Sequence, residues 1–296
     1  FRRGRHGGKS MTLHEVILAG RNKLREAGVN SPEADIQWIV CAVTHFNRVQ
    51  LAINKEQLLT PAQVEKIKEW VKRRCAREPL QYILGNQSFM NIKVMTDKRA
   101  LIPRPETEIL AERAINLIRK DYPRFERFEL LDLCTGTGVL ALAIAKKCTN
   151  VYATASDISP EALSLAKENI ALCQLEERVS LAQGDLFEAV QGRRFHGIVS
   201  NPPYIASNVI DTLMPEVSQF EPRIALDGGQ YGFDFYQRIL TQAGDYLFPG
   251  GFLALEAEHF QFFPIRDLLE KLKLFTEPVF ITDYEGMHRV CYVKKL

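Results

Sequence analysis

Glu129-Leu130-Leu131-Asp132-Leu133-Cys134-Thr135-Gly136-Thr137-Gly138 is the stretch that decides the fold. A short apolar strand runs straight into a glycine turn, and a helical stretch over residues 139–148 follows. Strand, Gly-x-Gly turn and helix in that order open a nucleotide-binding α/β unit. The glycines permit a tight turn and let a ligand approach the backbone closely. Gly-x-Gly alone is a weak signal. Ala141 stands where a dinucleotide fingerprint carries its third glycine, and that fingerprint tolerates alanine, so the loop alone does not exclude NAD.

The same alternation continues outward from this stretch. Strands are expected over residues 128–133, 151–156, 178–183, 195–200, 250–257, 275–282 and 288–294. Helices are expected over 139–148, 159–172, 233–247 and 260–273. This pattern predicts a mostly parallel sheet with helices on both faces. The break at Tyr284-Glu285-Gly286 is too short for a crossover, so the last two strands are expected as an antiparallel hairpin at the sheet edge.

Polar residues recur at the carboxyl ends of successive strands, where open α/β sheets bind ligands. Asp157 ends the second strand, about 20 residues past the glycines, where a carboxylate accepts from ribose hydroxyls. Asp185 ends the third, placed to accept from the amine of adenine. Each aspartate taken singly is as well read as a helix N-cap. The fourth strand ends in Ser200-Asn201-Pro202-Pro203-Tyr204. Two prolines forbid a helix there and stiffen the backbone. The Asn201 side-chain carbonyl, the Pro202 carbonyl and the Tyr204 ring together suit a planar NH2 group. With no Lys or Arg at the glycine loop to meet a pyrophosphate, the row fits a nucleoside cofactor without phosphates.

Ahead of this domain the pattern is helical. Leu13 to Ala27 reads as helix, Ser31 with Pro32 as the cap and first residue of a second, and Thr60-Pro61-Ala62-Gln63 as a capping box opening a third. Ile36, Ile39, Val40 and Val43 make one apolar stripe. The run Lys66, Lys68, Lys72, Arg73, Arg74, Arg77 reads as a solvated helix face, with a docking surface for an acidic or RNA-bound partner as the minority reading. Phe89 to Met95 and Arg99 to Ile102 read as a hairpin turning at Thr96-Asp97. The expected division is therefore a leader at 1–10, added ahead of a natural start at Met11, a helical substrate-recognition domain at 11–87, a hairpin linker at 88–102 and the α/β domain at 103–296.

Charge argues against a polyanion as the partner of the α/β half. The 296 residues carry a net +2, but residues 11–87 hold 11 Lys and Arg against 8 Asp and Glu, and residues 88–296 hold 23 against 28. The basic, glycine-rich start lacks the apolar stretch of a signal peptide, and no run of about 18 apolar residues suggests a membrane span. The six cysteines show no Cys-x-x-Cys spacing, so neither a metal site nor a disulfide framework is expected, and a reducing cytoplasm fits.

From about Met11 onward the chain resembles the PrmC/HemK family, the release factor glutamine N5-methyltransferases. The resemblance rests on Arg77-Glu78-Pro79-Leu80-Gln81-Tyr82-Ile83, Leu101-Ile102-Pro103-Arg104-Pro105-Glu106-Thr107-Glu108, the glycine loop, Asn201-Pro202-Pro203-Tyr204, and Phe220-Glu221-Pro222 with Ala225-Leu226. Asn-Pro-Pro-Tyr alone is shared with nucleic-acid amino-methyltransferases. Its combination with Ile-Pro-Arg-Pro-Glu-Thr-Glu is more specific.

The resemblance implies a class I S-adenosylmethionine-dependent methyltransferase domain, a Rossmann-like seven-stranded sheet with an antiparallel last strand, behind a small helical domain. It implies S-adenosylmethionine at Cys134, Thr135, Gly136, Thr137, Gly138, Asp157, Asp185, Leu186 and Asn201. It implies that Asn201, Pro202, Pro203 and Tyr204 bind the substrate, with Asn201, Pro202 and Tyr204 in the catalytic role. The substrate implied is the glutamine of the Gly-Gly-Gln loop of class I peptide chain release factors. Cys134 replaces the family's usual glycine, and Leu186 stands where an aromatic sometimes packs on adenine, which leaves either looser adenine packing or Phe187 as the substitute. Glu256, ending the fifth strand, reads either as support for the site or as a solvated strand end. Gly228-Gly229-Gln230 repeats the substrate tripeptide and reads as coincidence in a glycine-rich loop. A monomer without direct nucleic-acid or membrane contact is expected. The rivals are an adenine N6 or guanine N2 methyltransferase of nucleic acid and a non-catalytic S-adenosylmethionine-binding scaffold.

Overall fold

The computed structural model describes residues 10–296, so the leader lies outside the described residues except for Ser10. The described chain divides into two compact units, one running through Gly85 together with Pro215–Phe220, the other of Asn86–Met214 and Glu221–Leu296.

The first unit is helical: α1 (Leu13–Glu26), α2 (Pro32–Thr44), α3 (Arg48–Ile53), α4 (Pro61–Cys75) and α5 (Leu80–Leu84). Leu13, Leu24, Ile36, Ile39, Ile67 and Val71 meet in its core. Capping boxes start α1 at Thr12, α3 at Asn47 and α4 at Thr60, where each side chain accepts from the third helical N–H and receives the reciprocal bond. Ser31 occupies the cap position of α2, but its side chain makes no cap bond. Its ψ of 59 departs from the extended backbone that turns a cap oxygen toward the helix. Pro32 alone sets that start.

The basic run of α4 is not a free cationic face. Lys66 pairs with Glu69, Lys68 with Glu65 and Arg73 with Glu78. Arg74 binds Asp35 and Glu216 at 2.8 Å, and Arg77 holds Glu216 through two bonds of 2.7 Å. Glu216 belongs to α9 (Pro215–Ser218), in the returning segment of this unit.

The second unit opens with a hairpin of β1 (Asn86–Phe89) and β2 (Ile92–Met95). Its turn is Met90-Asn91, with φ of 45° and 66°, rather than Thr96-Asp97. Two left-handed residues make the turn whose twist matches paired strands. Residues 99–102 join no strand, correcting that expectation.

After α6 (Pro105–Asp121) the elements run β3 (Phe128–Leu133), α7 (Val139–Lys147), β4 (Val151–Asp157), α8 (Pro160–Cys173), β5 (Val179–Gln183) and β6 (Phe195–Ser200). Then, beyond α9, come α10 (Asp234–Tyr246), β7 (Leu247–Glu256), α11 (Phe262–Leu272), β8 (Val279–Thr282) and β9 (His288–Lys294). The last seven strands of the described residues form one sheet in the order β5-β4-β3-β6-β7-β9-β8. Neighbours from β5 through β7 pair in parallel, and β9 runs antiparallel to both β7 and β8. Side chains alternate across the sheet. Leu130, Val199, Phe252 and Ala254 pack with α6, α7 and α8, whereas Leu131, Ile198, Leu253 and Leu255 pack with α10 and α11. The order reverses between β3 and β6, the switch point at which such sheets open a crevice. Among the described residues no helix is long and apolar enough to cross a membrane.

Candidate active site

That crevice is a pocket at the carboxyl ends of β3, β4 and β6. One wall is the loop after β3. Cys134, Gly136 and Gly138 have φ of 58°, 54° and 83°, so every second residue is left-handed. Asp132 ties this loop down from inside the sheet. Its Oδ2 accepts from the Thr135 hydroxyl at 2.5 Å and from the Ala141 N–H at 3.2 Å. Burial pushes its pKa up to about 7, against those two bonds. A side chain on Gly136 would point into open space, its nearest neighbour being Ala100 Cβ at 3.9 Å. The loop thus offers bare backbone to the pocket.

Asp157 closes the next side. Its Oδ2 accepts from the Gly136 N–H at 2.9 Å and its Oδ1 from the Ser159 N–H at 3.0 Å. Burial raises its pKa, opposed by these backbone donors. Asp185 accepts from Arg238 at 2.7 Å through Oδ2. Leu186 is left-handed, with φ of 49°, and lines the pocket. Of the two alternatives for the adenine wall, substitution by Phe187 is excluded. It lies in the core, its ring stacked on Tyr246 with centroids 4.4 Å apart. A left-handed Leu186 turns the chain so that its own side chain takes the pocket wall.

Two arginines do line the pocket, from the segment before α6, but their charges are committed. Arg99 pairs with Asp97 and Glu168. Arg104 donates to Glu221 at 2.5 Å, and the other oxygen of Glu221 accepts from the Ile102 N–H at 3.2 Å. Glu221 therefore clips Phe220-Glu221-Pro222 to Ile102-Pro103-Arg104. The two motifs, far apart in sequence, form one corner of the site.

The Asn201–Tyr204 segment leaves the end of β6, where the Ser200 hydroxyl donates to the Leu133 carbonyl at 2.7 Å. The Asn201 Nδ2 donates to the Thr107 hydroxyl at 3.2 Å, which leaves Oδ1 for the pocket. Asn201 and Pro203 line the pocket; Pro202 and Tyr204 do not, and the Tyr204 ring packs against the core. Gly138 also lies off the lining, packed on Ala166 as the first cap of α7. The Tyr204 carbonyl accepts from the buried Gln261 amide at 3.0 Å, and the same nitrogen donates to the Gly232 carbonyl at 2.7 Å. A Cβ on Gly228 would stand 2.7 Å from Tyr204 Cα, so glycine is required there. The Gly-Gly-Gln tripeptide at 228–230 thus owes its first glycine to close packing on the tetrad.

Glu256 is not a solvated strand end. It is 2 % exposed, with the Tyr204 hydroxyl 3.5 Å from its Oε1. The sequence reading named neither Thr107, Glu221 nor Gln261 as site residues. Thr107 and Glu221 lie within motifs already quoted, whereas Gln261 carries no local signal.

A switch-point pocket with a glycine loop, a strand-end aspartate and an Asn-Pro-Pro-Tyr edge defines a class I methyltransferase. Solved structures agree on the fold. The hMettl16 catalytic domain in complex with MAT2A 3′UTR hairpin 6 superposes with a TM-score of 0.54 at 11% identity, covering 80% of this chain and 84% of that one. The delta-N METTL16 MTase domain gives 0.50 at 13% identity, covering 68% and 87%.

Sequence relatives are more specific. Residues 15–85 match the PrmC N-terminal domain and residues 113–217 the methyltransferase small domain. The release factor glutamine methyltransferase of Geobacter sulfurreducens is 38% identical, covering 83% of this chain and 84% of its own. That of Agrobacterium fabrum is 36% identical over 84% and 86%, and that of Koribacter versatilis 35% over 96% and 99%. The chain belongs to the release factor glutamine methyltransferase family.

Proposed function

We propose that this protein transfers a methyl group from S-adenosylmethionine to the side-chain amide nitrogen, N5, of the glutamine in the Gly-Gly-Gln motif of class I peptide chain release factors. We place it in the cytoplasm, a compartment that suits six cysteines all present as free thiols. The observation that carries the reading is the Asn201 amide, anchored by Thr107 at the pocket edge with its carbonyl oxygen left over.

The residues present suit the cofactor. Backbone without side chains at Gly136 gives room for close approach. Asp157 ends its strand where a ribose is held, and the free Oδ1 of Asp185 stands at the next strand end. Cys134, Thr135, Thr137 and Leu186 complete the wall, with Gly138 setting the turn behind them. The cofactor supplies an electrophilic methyl group when bound.

The rest of the chemistry belongs to the chain. An amide nitrogen is a poor nucleophile because its lone pair is delocalised. Asn201 Oδ1 and the Pro202 carbonyl each accept one N–H, which fixes the nitrogen's plane and direction; Pro203 walls the pocket and Tyr204 backs the group. The benefit lies in orientation rather than in charge stabilisation. No strong base is needed beforehand, since the amide proton leaves to water after the bond forms.

The test offers labelled S-adenosylmethionine to release factor, a Gly-Gly-Gln peptide, total RNA and DNA. Label on the glutamine of the factor and the peptide is expected. Asn201→Ala is expected to abolish turnover and keep most cofactor binding. Near-normal glutamine methylation by that variant overturns the assignment, and label on RNA or DNA instead favours a nucleic-acid amino-methyltransferase.

A further inference from the structure

We propose that Gln261 is a positioning residue: it pins the far end of the Asn201–Tyr204 tetrad and so holds the Pro202 carbonyl and the Asn201 amide where a substrate amide needs them. This rests on the proposed role of those two groups as acceptors of the substrate's N–H.

Gln261 closes a single helical turn, His259–Gln261, between β7 and α11. It stands at the cap position of α11, yet its side chain makes no cap bond there. The side chain turns inward instead, and the residue is 1 % exposed. Its Oε1 accepts from the Glu258 N–H at 2.9 Å. Its Nε2 donates to the Tyr204 carbonyl at 3.0 Å and to the Gly232 carbonyl at 2.7 Å. An amide nitrogen has two N–H donors, and both are committed. The orientation is unique. Turning the amide over would set an oxygen against two carbonyls and an N–H against an N–H.

The two carbonyls converge on that one nitrogen, and a side chain on Gly232 would strike the Tyr204 oxygen. Buried acceptors left without a donor are costly, and two facing each other also repel. Only glutamine and asparagine carry an NH2 and a carbonyl on one planar group, and asparagine is a methylene shorter.

The tetrad is stiff and held at both ends. The Ser200 hydroxyl, on the Leu133 carbonyl at 2.7 Å, fixes the near end against β3. Pro202 and Pro203 follow with locked φ and no N–H of their own. A shift at Tyr204 is therefore carried back to the Pro202 carbonyl rather than absorbed. Past Tyr204, the Ile205 N–H donates to the Leu226 carbonyl at 2.9 Å and the Ile205 carbonyl accepts from the Gly228 N–H at 2.8 Å. Gln261 ties this glycine-rich loop and the tetrad to the connection after β7. The cofactor wall is held by other bonds, from Asp132 and Asp157 to the glycine loop and from Arg238 to Asp185.

The test uses the whole chain. Gln261→Met keeps the length and removes both donors. It is expected to lower kcat on a Gly-Gly-Gln peptide about 100-fold, with little change in peptide KM or cofactor affinity. Gln261→Asn keeps the amide but shortens its reach, and is expected to lose about tenfold. Leu269→Ala, in the core under α11, is expected to be destabilised at least as much while kcat stays near natural. Near-natural kcat in Gln261→Met overturns the proposal. So does a parallel loss of kcat and cofactor affinity, or an equal fall in kcat in Leu269→Ala, since either marks a general loss of fold. Should Gln261→Met not fold, Gln261→Asn carries the same comparison, and the natural protein supplies another. Both side-chain protons of Gln261 are expected to exchange slowly with solvent in 15N spectra, and exchange as fast as in an exposed glutamine overturns the proposal. If the natural protein labels nucleic acid instead of glutamine, the functional reading fails, and the same variants compared on that acceptor decide the role of Gln261.

Discussion

Glu221 and Arg104 are bonded at 2.5 Å across the corner of the pocket, the carboxylate 1 % exposed at its side chain and the guanidinium 32 %. The pair is unequal. Burial raises the Glu221 pKa and the Arg104 charge opposes that rise. Removing the arginine strands a buried carboxylate, a loss of about 3–5 kcal/mol when such a pair is broken from that side. Removing the negative charge leaves an arginine that can turn to water. Arg104→Met is therefore expected to lower the unfolding free energy more than Glu221→Gln, which keeps its acceptor for the Ile102 N–H. Paired urea melts check the order, and equal losses contradict it.

Gly228 supports the tetrad by having no side chain. Gly228→Ala would set a Cβ 2.7 Å from Tyr204 Cα and 2.9 Å from the Pro203 carbonyl. Backbone on both sides leaves no flexible group to give way. Displacing the tetrad by even a fraction of an ångström is expected to lower kcat about 100-fold while cofactor affinity changes little. Single-turnover methylation beside a cofactor titration measures both.

Cys134 sits in left-handed backbone, with φ of 58°. That conformation costs a side-chain-bearing residue roughly 1–2 kcal/mol and a β-branched one more. Cys134→Gly is expected to stay within about 1 kcal/mol of the natural stability, because relief of strain offsets the looser unfolded chain. Cys134→Val is expected to be clearly destabilised. Thermal melts of the two variants give the ranking.

Glu216 makes the helical unit acid-sensitive. Burial pushes its pKa up, but the bonds from Arg77 and Arg74 outweigh this and hold it at about 2, below the usual 4.5. A carboxyl depressed in the folded state stabilises fully above its unfolded value and loses that contribution as pH falls through the folded one. The advantage of the natural protein over Glu216→Gln is therefore present at pH 6 and shrinks from about pH 4.5 toward pH 2. Melting curves at pH 6 and pH 3 test the convergence.

The sheet was legible because β3, β4 and β6 are buried apolar runs, each followed by a glycine, an aspartate or an asparagine at the same edge. Three features were not. The hairpin turn at Met90-Asn91 carries only one turn-forming residue, and Thr96-Asp97 has the stronger local signal although the chain does not reverse there. Glu256 reads equally as support for the site or as a solvated strand end, because its burial depends on packing against α6, more than 130 residues away. In the cationic run Lys66, Lys68 and Lys72 are exposed as a solvated face requires, but Arg74 and Arg77 turn to Glu216, which arrives from far along the sequence. Of Asn201, Pro202, Pro203 and Tyr204 only the first and third line the pocket, and which of four consecutive residues face a cavity depends on backbone dihedrals that composition does not encode.

The return of Pro215–Phe220 to the helical unit bears on how this protein can be taken apart. A gene fragment stopping at Gly85 would encode every long helix of that unit and still omit Glu216, the carboxylate that Arg74 and Arg77 share. Such a truncation would leave the Arg77 guanidinium without Glu216 and Arg74 with Asp35 as its one remaining carboxylate. Joining the missing hexapeptide through a short linker is the simplest way to make that module self-sufficient.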